Sequence, residues 1–143
     1  MAVLYAYTKV SDEYTTYQIA APVDGSAVEL CLLSDGRTVV SVTGELPDQP
    51  VQITVSRLVV TQELISEVRE KSPHLKLIDS LVDQRIRSKY PLDKELYLAR
   101  ISIGSLSGAY EYKQGEAEEV AAFGQYAEQA RLWGKEQRAE LGL

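Results

Sequence analysis

The spacing of the hydrophobic residues changes near residue 60, and this change constrains the fold more than any other feature of the chain. Before this point, apolar and polar side chains alternate in short runs, which is typical of β-strands. After it, apolar residues recur every three or four positions, which is typical of amphipathic helices. The sequence therefore predicts an α+β fold, with an N-terminal antiparallel β-rich half followed by a helical C-terminal half.

We accordingly divide the chain into a β-rich docking module, residues 1–60, and a helical interaction module, residues 61–143. Asp35-Gly36 is a strong hairpin signal in the first module, because glycine adopts positive φ at no steric cost. Alternation in the strand around Cys31 would place its side chain on the same face as Glu29 and Leu33. The predicted strands cover residues 2–10, 14–21, 27–33, 37–43 and 51–60.

Four helices are predicted in the second module. Thr61, Ser72 and Asp93 are suitable N-caps for the first three, because their side-chain oxygens can accept free backbone N–H groups. We expect the third helix to end before Gly104, where glycines and serines cluster. The predicted helices cover residues 62–70, 73–89, 94–103 and about 116–140.

Three glutamates, Glu116, Glu118 and Glu119, begin the last predicted helix. Carboxylates are favourable there because the helix dipole places partial positive charge at the N-terminus. We interpret all three as a solvated helix start rather than as an acid/base pair, since catalytic carboxylates must face each other across a cleft.

The composition argues against several classes of site. One cysteine, Cys31, and one histidine, His74, cannot form an internal disulfide or a multi-histidine metal centre. Neither residue has the neighbours of a catalytic group, so we interpret Cys31 as packed in the core or an interface and His74 as a surface or interface residue. We find no phosphate-binding glycine loop and no GxSxG motif. We therefore predict a protein that is not an enzyme, without catalytic residues, cofactor, metal or small-molecule substrate.

The same composition bears on partners. A net charge of −6 argues against nucleic acid as a general partner. No apolar run approaches the roughly 20 residues of a membrane span, so we expect no membrane partner. The segment Arg85-Ile86-Arg87-Ser88-Lys89 is the densest basic stretch, and a DNA-binding regulator is a weaker alternative, because the segment has no interleaved aromatics.

Three aromatic residues on the last predicted helix, Phe123, Tyr126 and Trp133, are candidate partner-binding residues. Positions seven residues apart, such as Tyr126 and Trp133, point within about 20° of each other on a helix. Large rings of this kind either anchor a partner or pack on the chain's own helices, and the sequence leaves both open.

Two basic residues, Arg85 and Arg87, complete the predicted partner-binding set. Asp79 and Asp83 precede the basic segment at helical spacing. Ion pairs within one helix therefore account for the pattern as well as a partner does.

Two segments of the helical half carry recognisable patterns. They read LKLIDSLVDQRIRSKYPLDKELYLAR, residues 75–100, and AFGQYAEQARLWGKEQRAELGL, residues 122–143. Together they resemble small proteins encoded among the tail genes of tailed bacteriophages and prophages. The matching stretches are Arg85 to Tyr90, a helix from Asp93 to Arg100, and a final helix from Trp133 to Leu143.

The resemblance implies a structural subunit of a phage tail, in the baseplate or tail-fibre region, which mediates protein–protein contacts. Its expected partners are other tail proteins and copies of itself, and its expected location is the virion tail after assembly in the host cytoplasm. The main alternative is a tail-fibre assembly chaperone that is not retained in the particle. A small enzyme or ligand-binding domain is a further interpretation for which no constellation of residues stands out.

Overall fold

The computed structural model describes residues 1–143, and the chain forms two compact units. The first comprises residues 1–78 and 136–143, and the second comprises residues 79–135. The predicted division after residue 60 thus falls inside the first unit. The predicted α+β class is confirmed, since an antiparallel sheet in the N-terminal half is followed by four helices.

Six strands lie in the first unit: β1 (Ala2–Tyr7), β2 (Val10–Ser11), β3 (Thr16–Tyr17), β4 (Ser26–Leu32), β5 (Thr38–Thr43) and β6 (Ser56–Arg57). The main sheet is antiparallel with the order β4-β5-β1-β6, and β2 and β3 form a separate two-stranded sheet.

The turn between β4 and β5 is the predicted hairpin. Gly36 has a φ of 90°, and the backbone N–H of Leu33 donates to the carbonyl of Arg37 at 2.7 Å. The Asp35 carboxylate accepts the backbone N–H of Arg37 at 3.0 Å and its guanidinium at 2.9 Å. The local chemistry of Asp35-Gly36 therefore forms the predicted turn.

The predicted strands at residues 2–10 and 14–21 are too long. The first ends at Tyr7, and only Thr16–Tyr17 of the second forms a strand. Between them, the Asp12 carboxylate accepts the backbone N–H groups of Tyr14 and Thr15 at 2.9 and 2.7 Å. This aspartate turn favours a short hairpin over two long strands.

The predicted strand at residues 51–60 is also mostly wrong. Only Ser56–Arg57 pairs with β1, although Val51, Ile53 and Val55 alternate with polar residues. The backbone N–H of Ile53 donates to the carbonyl of Pro50 at 3.2 Å, which makes a turn instead of a ladder.

A β-bulge changes the predicted alternation in β4. The register against β5 shifts between Glu29 and Cys31. As a result Leu30 and Cys31 are both buried while Glu29 is exposed, so Cys31 does not share a face with Glu29 as predicted. The extra residue brings two consecutive side chains into the core.

One of the two hydrophobic clusters of the first unit lies between this sheet and the first helices. Its members are aliphatic and small side chains from β1, β4, β5 and residues 68–78: Leu4, Leu30, Cys31, Leu33, Val39, Val68, Leu75 and Ile78. Leu141 and Leu143 pack against the same cluster, and the Ser41 hydroxyl donates to the carbonyl of Leu141 at 2.8 Å. The C-terminal residues are therefore part of this core.

The four helices are α1 (Gln62–Lys71), α2 (Pro73–Lys89), α3 (Leu92–Ser107) and α4 (Glu116–Glu140). The Thr61 hydroxyl accepts the backbone N–H of Leu64 at 3.2 Å, and that of Ser72 accepts the N–H of Leu75 at 3.4 Å. These two predicted caps are confirmed. Asp93 is not a cap, because α3 already begins at Leu92, after Pro91.

The predicted end of α3 before Gly104 is wrong, since the helix continues to Ser107. It ends at Gly108, which has a φ of 79° and donates its backbone N–H to the carbonyls of Gly104 and Ser105. One glycine inside a helix costs only about 1 kcal/mol, which packing can offset. Here Tyr110 packs directly against Gly104.

The second unit has an aromatic core. Tyr90, Leu98 and Ile101 are buried at its centre. The half-buried side chains that pack around them are Tyr110, Tyr112, Val120, Phe123 and Tyr126. Four of the nine tyrosines in the chain thus serve as packing residues in this unit.

Candidate partner-binding face

The five predicted partner-binding residues all lie in the second unit, on α2 and α4. Arg85, Tyr126 and Trp133 form one surface patch, and Phe123 and Arg87 lie beside it with different roles. We call the patch formed by Arg85, Lys89, Tyr126 and Trp133 the cationic aromatic face. Its role in binding a partner stays a prediction.

The centre of the face is a stacked pair. The guanidinium carbon of Arg85 lies 3.9 Å from the centroid of the half-buried Trp133 ring. This separation is well within the roughly 6 Å over which a cation is attracted to an aromatic face. Arg85 is exposed and forms no ion pair within the chain. The planar guanidinium group is therefore held in place by the ring, while its N–H groups stay open to solvent.

Tyr126 and Lys89 extend this pair along α2 and α4. The Tyr126 hydroxyl donates to the backbone carbonyl of Arg85 at 3.0 Å, which ties the ring to the main chain of α2 at Arg85. The ammonium of Lys89 lies 4.8 Å from the centroid of the same ring. A small pocket of about 90 Å³ opens between Arg85, Tyr126, Gln129 and Ala130. The face thus presents two cations on aromatic rings beside a shallow recess.

Lys89 was not among the predicted site residues. The sequence contained the signal, since Lys89 follows Arg85 by four positions and so lies on the same side of α2. What the spacing could not show is that a tyrosine of α4 lies under it.

Phe123 packs inside the unit. Its ring meets that of the buried Tyr90 edge-on, with centroids 5.0 Å apart, and Tyr90 also contacts Tyr126 at 5.7 Å. Aromatic pairs in this geometry stabilise a core beyond their buried area. Of the two interpretations left open for the rings, the geometry of Phe123 favours packing on the chain's own helices.

Arg87 has its donors engaged within the chain. Its guanidinium forms ion pairs with Glu95 at 2.5 Å and with Asp83 at 3.6 Å. It also donates to the backbone carbonyl of Tyr90 at 3.3 Å. The ion pair within the helix, which the sequence offered as an alternative, is therefore present, and Arg87 supports the connection between α2 and α3.

Glu116 differs from the predicted solvated helix start, because it is buried. The hydroxyl of Tyr97 donates to one carboxylate oxygen, and the other accepts the Tyr110 hydroxyl at 2.7 Å and the backbone N–H of Lys113 at 2.6 Å. These bonds to Tyr97, Tyr110 and Lys113 lower the pKa of Glu116 to about 2. The bond to Glu116 in turn raises the pKa of Tyr110 to about 12. The group is an anionic anchor for the start of α4.

Cys31 and His74 lie in the predicted environments, a buried and an exposed one. Cys31 is buried in the core, and this burial, with a smaller contribution from the charge of Glu67, raises the pKa of its thiol. His74 is exposed in the first turn of α2. No group of three or more histidine, cysteine, aspartate or glutamate side chains is arranged to hold a metal ion. None of the helices combines the length and the apolarity that crossing a bilayer requires.

Comparisons with protein-family models, with curated proteins and with solved structures find no match to this chain.

Proposed function

We propose that the chain is a non-enzymatic structural subunit of a bacteriophage tail, in the baseplate or tail-fibre region, and that it binds another tail protein through the cationic aromatic face. The phage context depends on the resemblance of residues 75–100 and 122–143 to small tail proteins. The proposed binding of another tail protein is inferred from one observation, the stacking of Arg85 on Trp133 at 3.9 Å.

The composition of the face supports a role in binding. Trp, Tyr and Arg are the residue types that most often supply the binding energy of protein interfaces. Because the guanidinium of Arg85 already stacks on Trp133, the side chain loses less freedom when a partner binds. A preorganised binding group of this kind makes association more favourable.

The charge of the face indicates the chemistry of the partner. The chain carries a net charge of −6, yet Arg85 and Lys89 make this patch locally positive. A guanidinium with open N–H edges binds a carboxylate through two parallel hydrogen bonds. The complementary surface therefore has a carboxylate placed for Arg85, next to a side chain small enough for the recess.

The test is the composition of purified phage particles. We expect mass spectrometry to detect the chain in particles assembled from its native gene cluster. Arg85→Glu reverses the central charge, so it should lower the amount incorporated while circular dichroism of the subunit stays unchanged. Lys76→Glu makes the same change at another exposed position of α2 and should have no effect.

Two results would contradict the proposal. Normal incorporation of a folded Arg85→Glu subunit would show that the cationic aromatic face does not make the contact with another tail protein. If the chain is needed for assembly but absent from purified particles, it is an assembly chaperone and not a structural subunit.

A further inference from the structure

The outer face of α3 carries an apolar stripe that nothing in the chain covers. Leu92, Leu96, Ile103 and Leu106 are 55%, 45%, 67% and 87% exposed, and Ala99 lies between them. Successive members are separated by four, three, four and three residues. This is the spacing of the a and d positions of a coiled coil, which keeps side chains in one line along a helix. We call these five residues the α3 seam.

The inner face of the same helix is also apolar. Leu98 and Ile101 are buried in the aromatic core of the second unit. A helix that is apolar on opposite faces is typical of one that is surrounded by protein. Single exposed leucines are ordinary on a protein surface, but four large aliphatic side chains in heptad spacing on one helix are not. The stripe therefore has the pattern of one half of a helix–helix contact.

Charged residues beside the seam indicate what covers it. In the heptad register of the seam, Asp93 and Arg100 occupy successive e positions, and Glu95 occupies a g position. Asp93 and Arg100 have opposite charges, and neither forms an ion pair within the chain. Glu95, in contrast, is held by Arg87 at 2.5 Å. Only the two e positions therefore carry charges that are free to pair with another helix.

An antiparallel second copy of α3 satisfies these charges. In antiparallel coiled coils e positions face e positions, so Asp93 of each copy lies beside Arg100 of the other, and the twofold axis makes this pair twice. In the same alignment Leu96 faces Ala99 of the second copy, and the small Ala99 side chain permits close approach. A parallel pairing would direct Arg100 towards Glu95, which Arg87 already holds.

We propose that two copies of this chain associate through their α3 seams, packed antiparallel across a twofold axis, with Asp93 of each copy paired to Arg100 of the other. This inference is independent of the phage assignment and of the cationic aromatic face. A closed twofold contact buries the same stripe on both subunits and leaves no exposed half.

The first experiment measures the mass of the intact chain by sedimentation equilibrium over a concentration series. We expect a monomer–dimer equilibrium that Ile103→Glu weakens at least tenfold, without a change in circular dichroism, because the site is exposed in the subunit. Leu77→Glu is the matched control: Leu77 is 55% exposed on α2 and lies outside the seam, so its replacement should leave the equilibrium unchanged.

The second experiment tests the antiparallel register by charge reversal. Asp93→Arg and Arg100→Asp each place like charges together twice, and each should weaken the dimer roughly three- to tenfold. The double variant restores opposite charges and should regain the wild-type dissociation constant.

Three outcomes would overturn the proposal. A chain that remains monomeric at all concentrations would exclude a second copy as the occupant, and a seam-dependent complex with a different protein would do the same. Equal effects of Ile103→Glu and Leu77→Glu would exclude the seam. Failure of the double reversal to restore affinity would exclude the antiparallel pairing.

Discussion

Gly104 lies directly against Tyr110: a Cβ atom placed on Gly104 would be 2.7 Å from the Cβ of Tyr110. Real Cβ atoms almost never approach so closely, and here the obstacle is the rigid start of a side chain. The glycine that was expected to end α3 is instead what lets the chain fold back onto the helix after Gly108.

We therefore expect Gly104→Ala to destabilise the protein by about 1–3 kcal/mol, because the overpacking outweighs the gain in helix propensity. Gly124→Ala is the matched control, since Gly124 also lies inside a helix but has open space around its Cβ position. That change should stabilise the protein by up to about 1 kcal/mol. Urea denaturation measures both, and effects of the same sign would contradict this account of Gly104.

The buried Glu116 predicts a pH dependence of stability. Its pKa is lowered from an ordinary value of 4.5 to about 2 in the folded protein, chiefly by the bond from Tyr97. Since the unfolded chain binds the proton more readily, the contribution of Glu116 is complete above pH 4.5 and is lost as the pH falls towards 2. Glu116→Gln should therefore be less stable than wild type at neutral pH, and the difference should shrink over this range.

Thermal unfolding of both proteins across this pH series measures the effect, and the difference between them removes the contributions of other carboxylates. Glu118→Gln changes an exposed residue of the same helical turn and should cost less at neutral pH. A Glu116→Gln variant whose deficit does not diminish in acid would show that the anion itself is not what anchors α4.

Ser41 predicts how firmly the C-terminal residues are held. Its buried hydroxyl donates to the carbonyl of Leu141 at 2.8 Å. Ser41→Ala leaves that carbonyl without its donor and should lower the free energy of unfolding by about 1 kcal/mol. Ser56→Ala, at an exposed position of β6, is the control for serine replacement in a strand. Equal urea midpoints for the two variants would indicate that water replaces the Ser41 hydroxyl without cost.

The parts of the fold that sequence predicts well are those set by local chemistry. The Asp35-Gly36 turn and the caps at Thr61 and Ser72 depend on atoms within a few residues of each other. The bulge at Leu30 could not be predicted, because nothing near it in sequence requires two consecutive buried residues. The same holds for Gly104, whose neighbour Tyr110 packs on it only after the helix has ended.

The same distinction applies to the sites. Charged residues in the first turn of a helix are usually solvated, so only the fold reveals that Tyr97, 19 residues earlier, meets Glu116. Arg85 and Trp133 could each be selected from sequence as residues that favour interfaces. Their stacking could not be predicted, because it depends on how α2 and α4 pack within the second unit.

Trp133 and Phe123 lie on one helix and predict opposite results when truncated. Trp133 carries the stacked, exposed Arg85 at the surface, whereas Phe123 contacts the buried Tyr90 with ring centroids 5.0 Å apart. Trp133→Ala should leave a folded subunit by circular dichroism but weaken association with the proposed tail partner by about 2 kcal/mol, as expected for an anchoring ring. Phe123→Ala should lower the free energy of unfolding by about 3 kcal/mol, because it leaves a cavity in the aromatic core.

Urea denaturation and binding titration of both variants separate the two roles. A Trp133→Ala subunit that unfolds as readily as Phe123→Ala would assign Trp133 to the core, and one with unchanged folding and unchanged association would leave its ring without either role.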